Sequence, residues 1–135
     1  MAPPEEMVDA VREEETEVTD ENAISFLSVN GARVLSTPQM IGRMEQTCRN
    51  LVLAMLDLGY DTVGTHVDVR HLAAAPLGAT VTFRAKLTSI SDRRVGFDVE
   101  AWNGNELIGK GTHERAIINI ERFTEKMKAK SEGAG

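Results

Sequence analysis

The sequence lacks the features that mark disulfide-bonded, membrane and exported proteins. Its 135 residues include a single cysteine, Cys48, which excludes an internal disulfide and a cysteine cluster for zinc. No apolar run approaches the roughly 20 residues of a membrane-spanning helix. The first 15 residues are acidic and have no basic segment followed by an apolar one, so no export signal is recognisable. The sequence therefore predicts a cytoplasmic protein.

Charge and motifs exclude further classes of function. The formal net charge is −6, and no cluster of lysine and arginine interleaved with aromatic residues offsets it. Nucleic acid is therefore not an expected partner. The sequence has no G-x-S-x-G elbow, no H-E-x-x-H motif, no P-loop and no G-x-G-x-x-G run. We expect neither a metal ion nor a resident cofactor.

The length and composition are those of one globular domain. Hydrophobic residues make up 41% of the chain and charged residues 27%. Residues 1–10 and 131–135 have too few apolar side chains to bury, and we predict that they are flexible. The folded domain is predicted to span residues 11–130.

One long helix is predicted between Thr37 and Leu58. Apolar residues recur there at spacings of three and four, as a helix face requires: Met40, Met44, Cys48, Leu51, Met55 and Leu58. Ser36 or Thr37 can cap its N-terminus, Pro38 suits its first turn, and Gly59 is expected to end it.

The remaining segments show the alternation of antiparallel strands. A weak edge strand is predicted over residues 11–19, and four strands follow the helix, over 63–71, 81–87, 95–101 and 106–120, before a polar helical tail over 121–130. Asn103-Gly104 is a strong hairpin signal. This order predicts an α+β hot-dog fold, with an antiparallel sheet wrapped around one central helix. Since unpaired sheet edges are commonly covered by a second subunit, we expect a homodimer or a higher oligomer.

Glu45 occupies an unusual position on the predicted helix. On a helical wheel it falls between Val52 and Leu56, inside the apolar face. A carboxylate in such a place is costly unless it is paired, and the setting suits a general base. In the alternative interpretation, Glu45 lies at the edge of that face and forms an ion pair with Arg49, four residues later.

Thr37 and His71 each allow a structural and a functional interpretation. The hydroxyl of Thr37, before a proline at the helix start, either caps the helix or takes part in chemistry. The positive potential of a helix N-terminus suits a carbonyl oxygen that gains charge when it is attacked. His71 ends its strand on the apolar face, where it is either a hydrogen-bonded core residue or a proton-transfer group.

Three further positions interrupt the strand pattern. Gly64 weakens a strand unless a ligand or backbone must approach closely, and it can present its N–H there. His66 falls on the polar face and is predicted to be exposed. His113 lies in the polar segment 111–115, where it either meets a ligand or the other subunit, or faces water at a strand edge.

Three segments resemble the signature blocks of the fluoroacetyl-CoA thioesterase-like family of hot-dog acyl-CoA thioesterases. They are STPQMIGRMEQTC at 36–48, TVGTHVDVRHLAAAPLG at 62–78 and IGKGTHERAIINIERF at 108–123, within a resemblance over about residues 34–125. The resemblance implies that Thr37, Glu45 and His71 are catalytic. It also implies that Gly64 lends a backbone N–H at the thioester and that Arg115 binds or positions the acyl-CoA.

The resemblance further implies a role for each catalytic residue and a site at the dimer interface. Glu45 would act as a base or assist attack on the thioester, Thr37 would polarise or attack the carbonyl, and His71 would orient the reacting group and move protons. Coenzyme A would enter as part of the substrate and not as a cofactor. The expected reaction is hydrolysis of a small or short-chain acyl-CoA to the free acid and CoA.

One stretch departs from the family pattern. The fluoroacetyl-specific enzyme has aromatic residues just before its catalytic threonine, whereas this chain has Ser28-Val29-Asn30-Gly31-Ala32. A different acyl group, larger or more polar, is therefore at least as well supported as fluoroacetyl.

A hot-dog fold can serve two functions other than thioester hydrolysis. Because a fold does not fix a function, a non-catalytic module that binds a small acyl or aromatic ligand is the alternative. A hot-dog hydratase would need a G-D-x-N-P-x-H-like segment, which the sequence lacks.

Overall fold

A computed structural model of the chain describes residues 3–27 and 30–134. A short 3-10 helix, Glu5–Met7, precedes the main elements. In chain order these are β1 Val11–Glu17, α1 Thr37–Leu53, β2 Tyr60–His71, β3 Thr80–Ser91, β4 Arg94–Asn103, β5 Glu106–Asn119 and α2 Ile120–Ala134. No helix in the described part of the chain is long and apolar enough to cross a membrane.

The five strands form one antiparallel sheet in the order β1-β3-β4-β5-β2. Gly104 has a φ of 60° in the turn between β4 and β5, as the predicted Asn103-Gly104 hairpin requires. β1 lies at one edge of the sheet, which confirms the weak edge strand predicted from its pattern. β2 forms the other edge.

Local sequence determines where α1 begins. Ser36 caps the helix, its hydroxyl accepting a hydrogen bond from the Gln39 N–H at 3.3 Å, and Pro38 follows in the first turn. Ser36, and not Thr37, is therefore the N-cap of α1. The hydroxyl of Thr37 is left available for another partner.

The predicted end of α1 at Leu58 is wrong. The helix ends at Leu53, and its last turn tightens into bonds over three residues, such as Met55 N–H to Val52 O at 2.8 Å. Leu58 is fully exposed and does not continue the apolar face. Gly59, with a φ of 93°, then turns the chain into β2.

The buried face of α1 packs against the sheet to form the core. The helix contributes Met40, Met44, Cys48, Leu51 and Val52, and the central strands contribute Phe83, Leu87, Phe97 and Ile108. Gly109 on β5 makes close approach possible, because a Cβ there would lie 2.6 Å from the Met40 sulfur. The predicted arrangement of a sheet around one long helix is confirmed.

A β-bulge changes which residues of β2 face the helix. The pairing of β2 with β5 shifts register between Gly64 and His66. Before the bulge Thr62 and Gly64 point inward, so the predicted alternation through Val63 and Thr65 is wrong. The bulge adds one residue to the strand, so the alternation beyond it again matches the prediction. His71 therefore lies on the face that was predicted for it.

The C-terminal helix runs further than its sequence predicted. α2 continues to Ala134, four residues beyond the expected end at residue 130. Residues 131–134 contain no proline, so nothing in their backbone forces the helix to stop. The flexibility expected for residues 1–10 and 131–135 stays a prediction, and residues 1, 2 and 135 lie outside the described part.

Phe83 provides a test of the core. Its side chain is completely buried, so Phe83→Ala should lower the free energy of unfolding by about 3–5 kcal/mol. Phe26 is 77% exposed, and Phe26→Ala should change that free energy by no more than about 0.5 kcal/mol. Urea titration of the two variants measures the difference, and equal effects would contradict this description of the core.

Candidate active site

Thr37 and His71 form a side-chain pair at the start of α1. The Thr37 Oγ1 lies 2.8 Å from the Nδ1 of His71, which ends β2. The other ring nitrogen, Nε2, is shielded from solvent and has no hydrogen-bond partner among the described residues. A hydroxyl bound to a ring nitrogen of a histidine is the geometry of an activated nucleophile or an oriented proton donor.

Burial favours the neutral form of the His71 imidazole. Desolvation is the main cause that lowers its pKa below the ordinary histidine value, and the backbone of Ala73 opposes this shift. A neutral ring can accept a proton from the Thr37 hydroxyl near pH 7.

Glu45 lies on α1 at the edge of the core, with 39% of its side chain exposed. Its Oε2 is 3.8 Å from Arg115 Nη1 and 4.0 Å from His113 Nε2. The alternative pair with Arg49 is wrong. Arg49 instead binds Asp61 through two hydrogen bonds of 2.9 and 2.7 Å.

Gly64 makes room for the Glu45 carboxylate. A Cβ at position 64 would lie 2.8 Å from the Glu45 Oε2 and 3.3 Å from the His113 Cε1. Any larger residue would therefore displace the carboxylate. The glycine that interrupts the strand pattern is explained by this close approach.

Arg115 is buried and held by three hydrogen bonds. Its Nε donates to Thr62 Oγ1 at 2.7 Å, its Nη2 donates to Thr62 O at 2.9 Å, and its Nη1 lies 3.2 Å from His113 Nε2. Sequence analysis missed Thr62, because a single threonine in a strand gives no signal of a role. A buried guanidinium needs such partners to offset its loss of hydration.

His66 on the edge strand β2 and His113 on β5 differ in environment. His113 is 2% exposed, so the solvent-facing interpretation is wrong for it. Its ring stacks on Phe97, with centroids 6.1 Å apart. His66 is exposed, as predicted, and its Nδ1 lies 3.5 Å from a carboxylate oxygen of Glu114.

The predicted site residues fall into two groups within one subunit. Thr37 and His71 form one group; Glu45, Gly64 and Arg115 form the other. Glu45 follows Thr37 by eight residues, which is roughly 12 Å along a helix. Among the described residues, no hydrogen bond or ion pair joins the groups. The catalytic roles expected from sequence stay predictions.

Two further expectations concern ligands. Within residues 3–27 and 30–134, no group of three or more His, Cys, Asp or Glu side chains is arranged to hold a metal ion. Ser28 and Val29, in the stretch where aromatic residues are missing, lie outside the described part of the chain.

The chain is similar to thioesterases in sequence and in fold. Residues 18–121 match the family described as FlK, fluoroacetyl-CoA-specific thioesterase. A fluoroacetyl-CoA thioesterase of Streptantibioticus cattleyicolor is 42% identical over 98 residues, which are 73% of this chain and 70% of that protein. A solved structure of the fluoroacetyl-CoA thioesterase FlK is 34% identical and superposes with a TM-score of 0.83, covering 91% of this chain and 96% of its own.

The hot-dog architecture is shared with a more distant protein. A hot-dog-like protein from Thermanaerovibrio acidaminovorans is 22% identical, with a TM-score of 0.83 over 93% of this chain and 94% of that one. At this identity the likeness shows the fold alone. Together with the FlK structure, it confirms the predicted hot-dog fold.

The buried histidines predict how stability depends on pH. Desolvation is the main cause that lowers the pKa of His113, as it is for His71. The unfolded chain therefore binds protons that the folded chain does not, beginning near the ordinary histidine pKa of about 6.5. The stabilisation from neutral histidines is complete above that pH and is lost as the pH falls through the folded-state values.

We expect the free energy of unfolding to decrease between pH 7.5 and about pH 5. Glu14 and Asp61, whose pKa values are lowered, are almost fully ionised in the folded and unfolded states over most of this window, so they add little slope until the pH approaches about 5. Urea titrations across the window give the slope, and His113→Gln should reduce it. A slope unchanged by the substitution would show that the ring does not titrate differently on unfolding.

Proposed function

This chain belongs to the fluoroacetyl-CoA-specific thioesterase family, and we propose that it hydrolyses a small or short-chain acyl-CoA to the free acid and CoA. The observation that carries the proposal is the Thr37–His71 pair, whose Oγ1 and Nδ1 lie 2.8 Å apart. A module that only binds a ligand has no use for a hydroxyl held on a neutral imidazole. The thioester bond of acyl-CoA is the natural target of such a pair.

The residues support a hydrolytic mechanism with distinct roles. Thr37, at the positive end of α1, polarises the thioester carbonyl or attacks it, and His71 Nδ1 accepts the hydroxyl proton. Glu45 acts as the base that activates water, and Gly64 on β2 lies beside its carboxylate. The C–S bond breaks, the CoA sulfur takes up a proton, and the oxygen of water ends in the acid.

The enzyme is a homodimer in this proposal, joined along β2. The other edge strand, β1, carries Glu13, Glu14, Glu15 and Glu17, and like charges of this kind discourage pairing between copies. β2 is longer, with 12 residues, and its middle exposes Val67. Pairing two copies of β2 would cover this edge and extend the sheet across the dimer axis.

Such a dimer would unite the two groups of site residues. When two copies of β2 pair antiparallel about an axis at Asp68, so that Asp68 lies opposite its own copy, Thr65 of the bulge, next to Gly64, lies opposite His71 of the partner subunit. Because Gly64 lies beside the Glu45 carboxylate, this pairing also brings Glu45 towards the partner's His71. Each active site then takes Glu45 from one subunit and the Thr37–His71 pair from the other.

The expected setting is the cytoplasm, with neither nucleic acid nor membrane as a partner. The single cysteine, Cys48, is buried and unpaired, which suits a reducing compartment. The negative net charge disfavours nucleic acid. Specificity for fluoroacetyl is not part of the proposal, because the aromatic residues before the catalytic threonine are missing.

Glu45 provides the first test of the function. Glu45→Ala should lower kcat at least about a hundredfold, the low end of the contribution of a general base. Release of free thiol from acetyl-, fluoroacetyl-, propionyl- and butyryl-CoA measures the rate. Glu114→Ala, which removes an exposed glutamate of β5, is the matched control and should keep the rate within about twofold. No turnover of any substrate by the unaltered protein would favour the non-catalytic module.

Mixed dimers provide the second test, of the shared site. Thr37→Ala and Glu45→Ala should each be inactive alone, but a dimer with one subunit of each kind contains one site with both substitutions and one intact site. Co-expression with two different affinity tags isolates this hybrid. Thiol release should reappear in it at about half the rate of the unaltered dimer. A hybrid as inactive as its parents would show that each site lies within one subunit.

A further inference from the structure

His113 has a defined protonation state that the proposed mechanism does not use. Its Nδ1 lies 2.7 Å from the backbone oxygen of His66, and an oxygen of this kind can only accept, so Nδ1 carries the proton. Its Nε2 lies 3.2 Å from Arg115 Nη1, and a guanidinium can only donate, so Nε2 accepts. Both ring nitrogens are therefore occupied, and the ring is neutral.

The β-bulge in β2 provides the acceptor for this histidine. The ladder between β2 and β5 changes register between Gly64 and His66. At this irregularity the backbone oxygen of His66 binds the imidazole of His113. The bulge thereby links the edge strand to a buried side chain on the next strand.

Arg115 is fixed by the same cluster. Thr62 accepts from Nε and Nη2, and His113 accepts from Nη1, so the guanidinium plane has one orientation. Its side chain is only 8% exposed. The Glu45 carboxylate, 3.8 Å from Nη1 and far more exposed, lies at the solvent side of this cation.

We propose that His113 and Arg115 are positioning residues for Glu45. His113 orients Arg115, and Arg115 holds the Glu45 carboxylate over Gly64. The inference rests on the proposed thioesterase function. It goes beyond the family resemblance, which implies that Arg115 binds or positions the acyl-CoA, because Arg115 is hydrogen-bonded to Thr62 and His113 and forms an ion pair with Glu45.

The physical need for such support is clear from the exposure of Glu45. A glutamate side chain has three rotatable bonds, and 39% of this one is exposed, so it would otherwise sample many positions. A base must be held close to one geometry to act efficiently. A fixed cation behind the carboxylate supplies that restraint without occupying the substrate side.

Substitutions at position 113 test the inference through the separate changes in kcat and KM. His113→Phe keeps a ring against Phe97 but removes both nitrogens. We expect kcat for acetyl-CoA to fall at least about tenfold while KM stays within about twofold, since only an interaction of the transition state is lost. In a Glu45→Ala background the same substitution should cause no further loss. His113→Gln offers an acceptor to Arg115 and should recover part of kcat.

The control is the exposed histidine of β2. His66→Gln removes an imidazole of the same kind from the outer face and should leave kcat and KM unchanged, because the contact to His113 comes from the backbone. A rise in KM with kcat preserved, or a full further loss in the Glu45→Ala background, would overturn the proposal and assign these residues to substrate binding.

A spectroscopic measurement separates this inference from the proposed function. The ¹⁵N shifts of His113 in the unaltered protein should show a neutral ring protonated at Nδ1 at pH 7. A ring protonated at Nε2, or at both nitrogens, would overturn the inference whether or not the protein hydrolyses acyl-CoA. Absence of turnover with the expected ring would instead count against the function alone.

Discussion

The close approach of α1 to β2 and β5 is the constraint on which the rest of the structure depends. Two glycines permit it: Gly109 accommodates the Met40 sulfur, and Gly64 accommodates the Glu45 carboxylate. With the helix held at this distance, Thr37 at its start meets His71 at the end of β2. The apolar packing that stabilises the fold thus also sets the positions of the polar groups.

Burying Arg115 and His113 removes their hydration, and hydrogen bonds and an ion pair offset this unfavourable free energy. A guanidinium and an imidazole lie inside a core that is otherwise apolar, where an unpaired charge would be strongly unfavourable. Thr62, His113 and Glu45 together give Arg115 its partners. Apolar side chains of similar shape would need no such partners, and buried ionic groups often contribute nothing to stability compared with them. The proposed role in holding Glu45 explains why the cluster is present.

In the proposed dimer, assembly and catalysis are connected through the edge strand β2. The strand carries Gly64 and His71, which belong to the two separate groups of site residues. The opposite edge is protected by the negative charge of β1, whereas β2 exposes the apolar side chain of Val67. A subunit that pairs along β2 would complete the site, so the proposed activity would depend on the dimer.

Local sequence determined the elements and the family, and tertiary contacts decided the site. Ser36 and Pro38 set the start of α1, and Asn103-Gly104 set a hairpin, because capping and turn chemistry act within a few residues. Three segments in order identified the thioesterase family. The early end of α1 and the bulge in β2 were not predicted, because the apolar spacing of the helix continues to Leu58 and the strand alternation continues through Val63 and Thr65.

The partners of the charged residues show the same division. Spacing along the helix favoured Arg49 as a partner of Glu45, but Arg49 binds Asp61 and Glu45 lies beside Arg115, 70 positions further along the chain. Thr62 gave no local signal for its contact with that arginine. A sequence pattern records periodicity over neighbouring residues, whereas ion pairs between remote segments form only when the folded sheet brings those segments together.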